Sequence, residues 1–180
     1  MFVNRLDGSG LAPANGGGLL FRDVTGMVFP GGYTSGNGHY EQEMGDLDGD
    51  GDLDIYGLNW LASGGFTDIT LRNDGGGTYS NVVTLGGSGA DDNEGDFFDY
   101  DNDGDLDLFV CNFSGGDKMY RNNNNGGSSF SFTGPVSGVL PGGSTFTGLD
   151  ADACDVDGDG DYDLLVGNDN GARNQYPVSY

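Results

Sequence analysis

Three short segments of this chain carry aspartate at every second position around a fixed glycine. They are Asp46, Asp48, Asp50, Asp52 and Asp54; Asp99, Asp101, Asp103, Asp105 and Asp107; and Asp155, Asp157, Asp159, Asp161 and Asp163. These loops hold 15 of the 26 aspartates. Five carboxylates within nine residues cannot stay ionised and close together without a cation, because like charges raise each other's pKa and push the loop open. A solvated acidic face would scatter its charges instead. Calcium suits the donor set best: it accepts six to eight oxygen ligands in flexible geometry, whereas magnesium demands a tight octahedron. Zinc and copper would call for His or Cys, of which the chain has only His39, Cys111 and Cys154.

The spacing predicts a ligand map. Positions 1, 3 and 5 turn carboxylates inward (Asp46, Asp48, Asp50; Asp99, Asp101, Asp103; Asp155, Asp157, Asp159). Position 6 is glycine (Gly51, Gly104, Gly160) for the sharp turn. Position 7 (Asp52, Asp105, Asp161) offers its carbonyl, and position 9 (Asp54, Asp107, Asp163) closes the shell. This is not an EF-hand loop: position 12 is Gly57, Val110 or Val166 rather than a bidentate Glu.

The elements that must position these loops repeat with them. After each loop comes a short apolar run ending in Asn (Ile55 to Asn59, Leu108 to Asn112, Leu164 to Asn168), which reads as a buried strand. Before each stand two acids at alternate positions: Glu41 and Glu43, Glu94 and Asp96, Asp150 and Asp152. Alternation puts both on one face of a strand, either as a solvated surface or as a weaker calcium site between repeats. Further along come Leu71-Arg72-Asn73 and Tyr120-Arg121-Asn122, with fainter echoes at Asn4-Arg5 and Arg173-Asn174. Arg72 and Arg121 are expected to reach a loop aspartate bidentately. Glycine-rich turns and a last strand follow (Thr78 to Leu85, Ser129 to Val136), which Phe21 to Thr25 matches. Each repeat therefore reads as strand A, acidic loop, strand B, strand C, glycine turn, strand D. No helical periodicity of useful length is present.

The first aspartates lie 53 and 56 residues apart, a period that points to blades or solenoid coils. The fold expected is all-β: tandem four-stranded antiparallel propeller-type blades, about three blade equivalents, open or completed between subunits. The organisation expected is a single array: 1–38 as a leading half-blade (strands C and D) with a linker, 39–90 and 91–147 as two blades, and 148–180 as a trailing partial blade, with a short further strand within Ala172 to Tyr180.

Composition narrows the function. Of 180 residues 29 are acidic and 6 basic, for a formal charge of −23, and 37 are glycine. No basic stripe exists to displace counterions from phosphates, which excludes nucleic acid as a partner. No apolar run approaches the roughly 20 residues that span a bilayer, so no membrane insertion is expected. The opening Met1-Phe2-Val3-Asn4-Arg5-Leu6 lacks an apolar core, which predicts a mature product or a fragment. Cys111 and Cys154 fall at non-equivalent positions and are expected as two buried free thiols in preference to a disulfide. Asn112-Phe113-Ser114 forms a glycosylation sequon.

The D-x-D-[GN]-D-G-D-x-D-[LI] loop between two strands, followed by a Tyr/Leu-Arg-Asn strand and a glycine turn, resembles the FG-GAP/VCBS-type repeat of integrin-α-like propeller heads and many bacterial extracellular proteins. That resemblance implies four-stranded blades with one calcium in each A–B hairpin, three sites in all; any weaker extra sites near the acid pairs would follow from their alternation, since the family has neutral residues there. The function expected is a non-enzymatic, calcium-binding structural or adhesive repeat protein, extracellular or at the cell surface. It would self-associate as a head-to-tail filament or meet another extracellular protein or glycan. The alternative is a fragment of a larger propeller serving as a carbohydrate- or protein-recognition module. A propeller-type polysaccharide lyase is disfavoured by the scarcity of Lys, Arg and His.

Overall fold

The computed structural model describes residues 2–4, 21–23, 25–29, 39–59, 67–76, 78–124, 129–140, 147–169 and 174–176. It is all-β, built from antiparallel strands that follow one another in chain order. A two-stranded ribbon pairs β1 (Phe2–Asn4) with β2 (Phe21–Asp23), and a single helical turn, α1 (Thr25–Val28), follows. Phe21 to Thr25 thus gives three strand residues, and Thr25 opens the turn.

Two four-stranded meanders come next. The first runs β3 (His39–Gly45), β4 (Asp54–Asn59), β5 (Ile69–Asn73), β6 (Tyr79–Thr84). The second runs β7 (Asp92–Phe98), β8 (Asp107–Asn112), β9 (Lys118–Asn122), β10 (Phe132–Thr133). A three-stranded sheet, β11 (Gly148–Cys154), β12 (Asp163–Asn168) and β13 (Asn174–Tyr176), completes the series. Among the described residues no sheet closes into a barrel; the sheets stack as open, propeller-like blades.

Each acidic loop is the hairpin between the first two strands of its sheet, as the repeat predicts. The first strand of each carries the same irregularity, at His39/Glu41, Asp92/Glu94 and Gly148/Asp150. Such a bulge shifts side-chain phase, and here it lies just ahead of, or at, each acid pair. Strand D of the second sheet is shorter than expected, two residues in place of Ser129 to Val136. Pro135 has no N–H to give the ladder, and the chain returns to β9 through Val136 N to Met119 O at 2.8 Å. The Arg173-Asn174 echo proves out of register. Asn174 pairs with Val166 as Lys118 pairs with Val110, so the counterpart of Arg121 falls four residues later.

The core lies between sheets rather than inside them. Tyr56, Leu58 and Leu85 of the first meander pack on Leu108, Val110 and Tyr120 of the second. The opposite face of the second, with Phe98, Phe109, Cys111 and Met119, packs on Ala151, Leu164 and Val166 of the third. Ile55, Leu71 and Tyr79 meet Val28 and Phe29 on the far side of the first. At about 25 cal/mol per Å2 of apolar burial, these seams supply the main drive to order so glycine-rich a chain.

Candidate metal centres

In all three loops the position-1 carboxylate is wrapped by its own hairpin. Asp46 accepts from the amides of Asp50 and Gly51 at 3.0 Å each. Asp99 accepts from Asp103 and Gly104 at 3.1 and 2.8 Å, and Asp155 from Asp159 and Gly160 at 3.2 and 3.1 Å. Position 5 then accepts from the amide of position 7, at 2.9, 3.1 and 3.0 Å. This winding needs left-handed backbone at position 6, where φ is +94° at Gly51, +94° at Gly104 and +101° at Gly160. Position 4 needs it too. Gly49 and Gly158 supply it, and Asn102 adopts φ +56°, a region that Asn tolerates better than most residues.

The winding gathers carboxylate oxygens to within 4.8 Å of one another in three groups: Asp46, Asp48 and Asp50; Asp99, Asp101 and Asp107; Asp155, Asp157 and Asp163. Positions 1 and 3 belong to every group, and the third corner is position 5 or position 9. Asp54, Asp103 and Asp159 lie outside these groups, as do the position-7 residues Asp52, Asp105 and Asp161. The Asp161 carboxylate instead accepts from Asn102 Nδ2 at 2.8 Å, tying the third loop to the second.

Position 9 does work that the alternating pattern did not reveal. Asp54 is fully buried and accepts from Leu47 N at 2.9 Å and Asn73 N at 2.8 Å. Asp107 accepts from Tyr100 N at 3.2 Å and Asn122 N at 2.7 Å. Asp163 accepts from Val156 N at 3.0 Å. The residue pins the start of the loop and, in the first two sheets, strand C. Burial pushes Asp54 up to about 6 and Asp107 up to about 7, a cost that a nearby cation would offset.

The donor set fits a hard cation. Asp48 is 2 % exposed, and its Oδ1 is buried with no hydrogen-bond partner; Asp101 Oδ1 is buried and unpartnered in the same way. Both belong to the gathered groups, and burial raises both carboxyls. Leaving such an oxygen desolvated and unpaired costs about 1–3 kcal/mol or more. Residue 2 of each loop separates the sites: Leu47 is 0 % exposed and Tyr100 8 %, but Val156 is 73 %, so the third loop is the open one.

Arg121 meets the expectation for its loop with a different geometry, bridging two aspartates. Nε lies 3.1 Å from Asp101 Oδ2 and the guanidinium 2.8 Å from Asp103 Oδ2, which holds Asp103 below the usual carboxylate range. Arg72 pairs with Asp74, beyond the loop, at 2.5 Å. Arg5 and Arg173 lie outside the described residues, as does the side chain of His39.

In the first two sheets the acid pairs are not a solvated face, whereas Asp150 and Asp152 of the third are exposed. Glu41 Oε2 accepts from the Gly95 amide of the next sheet at 3.2 Å, and Asp96 Oδ2 from the Ala153 amide of the one after at 2.8 Å. Glu94 takes the Ala151 amide. Strand A of the first sheet thus caps that of the second, and strand A of the second caps that of the third. Both cysteines are free, but only Cys111 is buried; Cys154 is exposed. Asn112 is 1 % exposed and accepts from Ser114 N, so the sequon asparagine is part of the core.

Stacked four-stranded meanders, each with an aspartate-rich first hairpin, define a β-blade repeat protein. Residues 46–110 and 99–166 match the family model of the FG-GAP-like repeat, and the chain belongs to that family. No curated protein matches the chain in sequence. Among the described residues no helix is long and apolar enough to cross a membrane.

Proposed function

We propose that this is an extracellular, non-enzymatic repeat protein in which three calcium ions, one per acidic loop, hold a structural or adhesive array in shape. The observation that carries the reading is the pair of buried, unpartnered oxygens, Asp48 Oδ1 and Asp101 Oδ1, inside the carboxylate groups. Asp46, Asp48 and Asp50, Asp99, Asp101 and Asp107, and Asp155, Asp157 and Asp163 would hold the ions. Three dications add six charges and bring −23 to −17. Because the unfolded chain has no preformed site, binding stabilises the fold by linkage. The loops need saturate only at extracellular, millimolar calcium. Thermal unfolding and particle size measured together, with calcium and then with excess chelator, test this. A large fall in melting temperature on chelation, little restored by magnesium, is expected; an unchanged melt would end the reading.

A second reading, self-association head to tail, is favoured by the outer face of the third sheet. Leu165 is 50 % exposed, whereas Tyr56 and Phe109 at the same repeat position are 0 % exposed under the following sheet. Asp150 and Asp152 stand where Glu94 and Asp96 take the next strand A. A further blade of a second copy has the matching chemistry. Sedimentation in calcium that finds only monomer at high concentration would remove this reading.

A further inference from the structure

The chain has one lysine, and it is buried. Lys118 opens β9, 7 % exposed, and its Nζ lies 2.8 Å from both carboxyl oxygens of Asp92, the 1 %-exposed first residue of β7. A nitrogen equidistant from both oxygens faces Cγ, the carbon it would have to attack. The Asp92 carboxyl is also hydrogen-bonded to Asp68, which is 0 % exposed and accepts from Tyr56 Oη at 2.8 Å. Two carboxyls in contact out of water share a proton more readily than they both ionise. Tyr120 Oη is buried without a partner and lies in the electrostatic field of Asp92 and Asp68. An amine, an acid and a proton carrier are thus assembled out of water.

We propose that Lys118 and Asp92 condense to an intramolecular amide, a spontaneous cross-link between β9 and β7 for which Asp68 relays the proton. The ion pair is the same composition as neutral amine plus neutral acid, so no co-reactant is needed. Nζ attacks Cγ and the C–N bond forms. The proton leaving nitrogen passes through the Asp68 carboxyl to one Asp92 oxygen. The C–O bond breaks, one water departs, and Asp68 ends as it began. Burial supports the neutral acid, since it raises the Asp92 carboxyl against the pull of Lys118. The ring that closes contains the whole second acidic loop. It gives a covalent staple to a chain whose two cysteines are both free.

The full chain, folded in calcium and then denatured, is measured by intact-mass spectrometry and protease mapping. The result expected is a mass one water below the sequence sum, and a branched peptide joining the segments that contain residues 92 and 118. Lys118→Arg restores the full mass. Asp68→Asn, with its fold checked by a calcium-dependent melt, restores it too or slows the loss at least tenfold. A wild-type mass equal to the sequence sum overturns the proposal. So does a water loss that persists in Lys118→Arg, which would mark an aspartyl succinimide. Cross-linking at the wild-type rate in Asp68→Asn overturns the relay.

Discussion

Glu41 and Gly95 are 54 residues apart in the chain, yet the carboxylate of one accepts the backbone amide of the other at 3.2 Å. The contact is the elementary stitch of the array. It requires the two strands to lie so close that a side chain at residue 95 has no room. A Cβ on Gly95 would run into the ring of Tyr56 and stand 3.3 Å from Leu108 Cδ1. Gly95→Ala is therefore expected to destabilise the chain by about 1–3 kcal/mol, as overpacking of a filled seam does. Denaturant unfolding in saturating calcium reads it directly.

The stitches make stability depend on pH. Burial first, and neighbouring acids second, raise Glu41 to about 7 and Glu94 to about 8; burial raises Asp96 to about 6. The unfolded chain gives up these protons near the ordinary values of 4.5 for Glu and 3.8 for Asp, whereas the folded chain holds them longer. Between those limits the folded state binds more protons, so stability falls as pH rises. In saturating calcium the denaturation midpoint is expected to be higher at pH 6 than at pH 8. Glu94→Gln should flatten that slope, and a midpoint that climbs from pH 6 to pH 8 contradicts the sign.

In the second loop position 9 is both scaffold and ligand, whereas position 3 is ligand first. Asp107→Ala would leave the amides of Tyr100 and Asn122 without an acceptor, at about 1–3 kcal/mol each. That loss is expected to persist in chelator, with a further loss in calcium because Asp107 also belongs to the gathered carboxylates. Asp101→Ala removes Oδ1, which no protein group satisfies, along with the half-exposed Arg121 contact of Oδ2, so most of its cost should appear in calcium and shrink in EDTA. Two melts per variant decide the matter, and equal losses under both conditions for Asp101→Ala would assign it a scaffold role.

Arg121 acts as a built-in partial counter-ion of the second loop. Its guanidinium offsets one of the two charges of Asp101 and Asp103 without any metal. Arg121→Ala should lower the melting temperature in EDTA, where the loop then has no cation at all. It should also tighten calcium binding to that loop, since a positive neighbour has gone. Calorimetric titration against the wild type checks the second half; weaker calcium binding would show that the arginine organises the site more than it competes.

The hairpins, their glycines and the strand order were legible because each is a local pattern: alternation, a turn residue, a short apolar run. What stayed hidden depends on partners far along the chain. Nothing in the spacing of Glu94 and Asp96 says that amides 57 residues away will meet them, and so a solvated face looked as reasonable. Alternation also cannot say that Asp54 and Asp107 spend their oxygens on backbone. One clue to Lys118 was present in composition, since a chain that otherwise uses arginine has its single lysine inside a strand. Its partner Asp92 lies in the same repeat, 26 residues earlier, but stands at a bulge whose register the sequence does not disclose.

The stitch between strand A of one sheet and strand A of the next also bears on how such chains lengthen. An excised sheet would expose, on one flank, amides that want an acceptor and, on the other, acids that want a donor. A gene duplication spanning one period copies both flanks together, so the added unit arrives with a matching socket and plug. The quantity inherited is then the joint rather than the panel, and arrays of different length can arise without inventing a new contact.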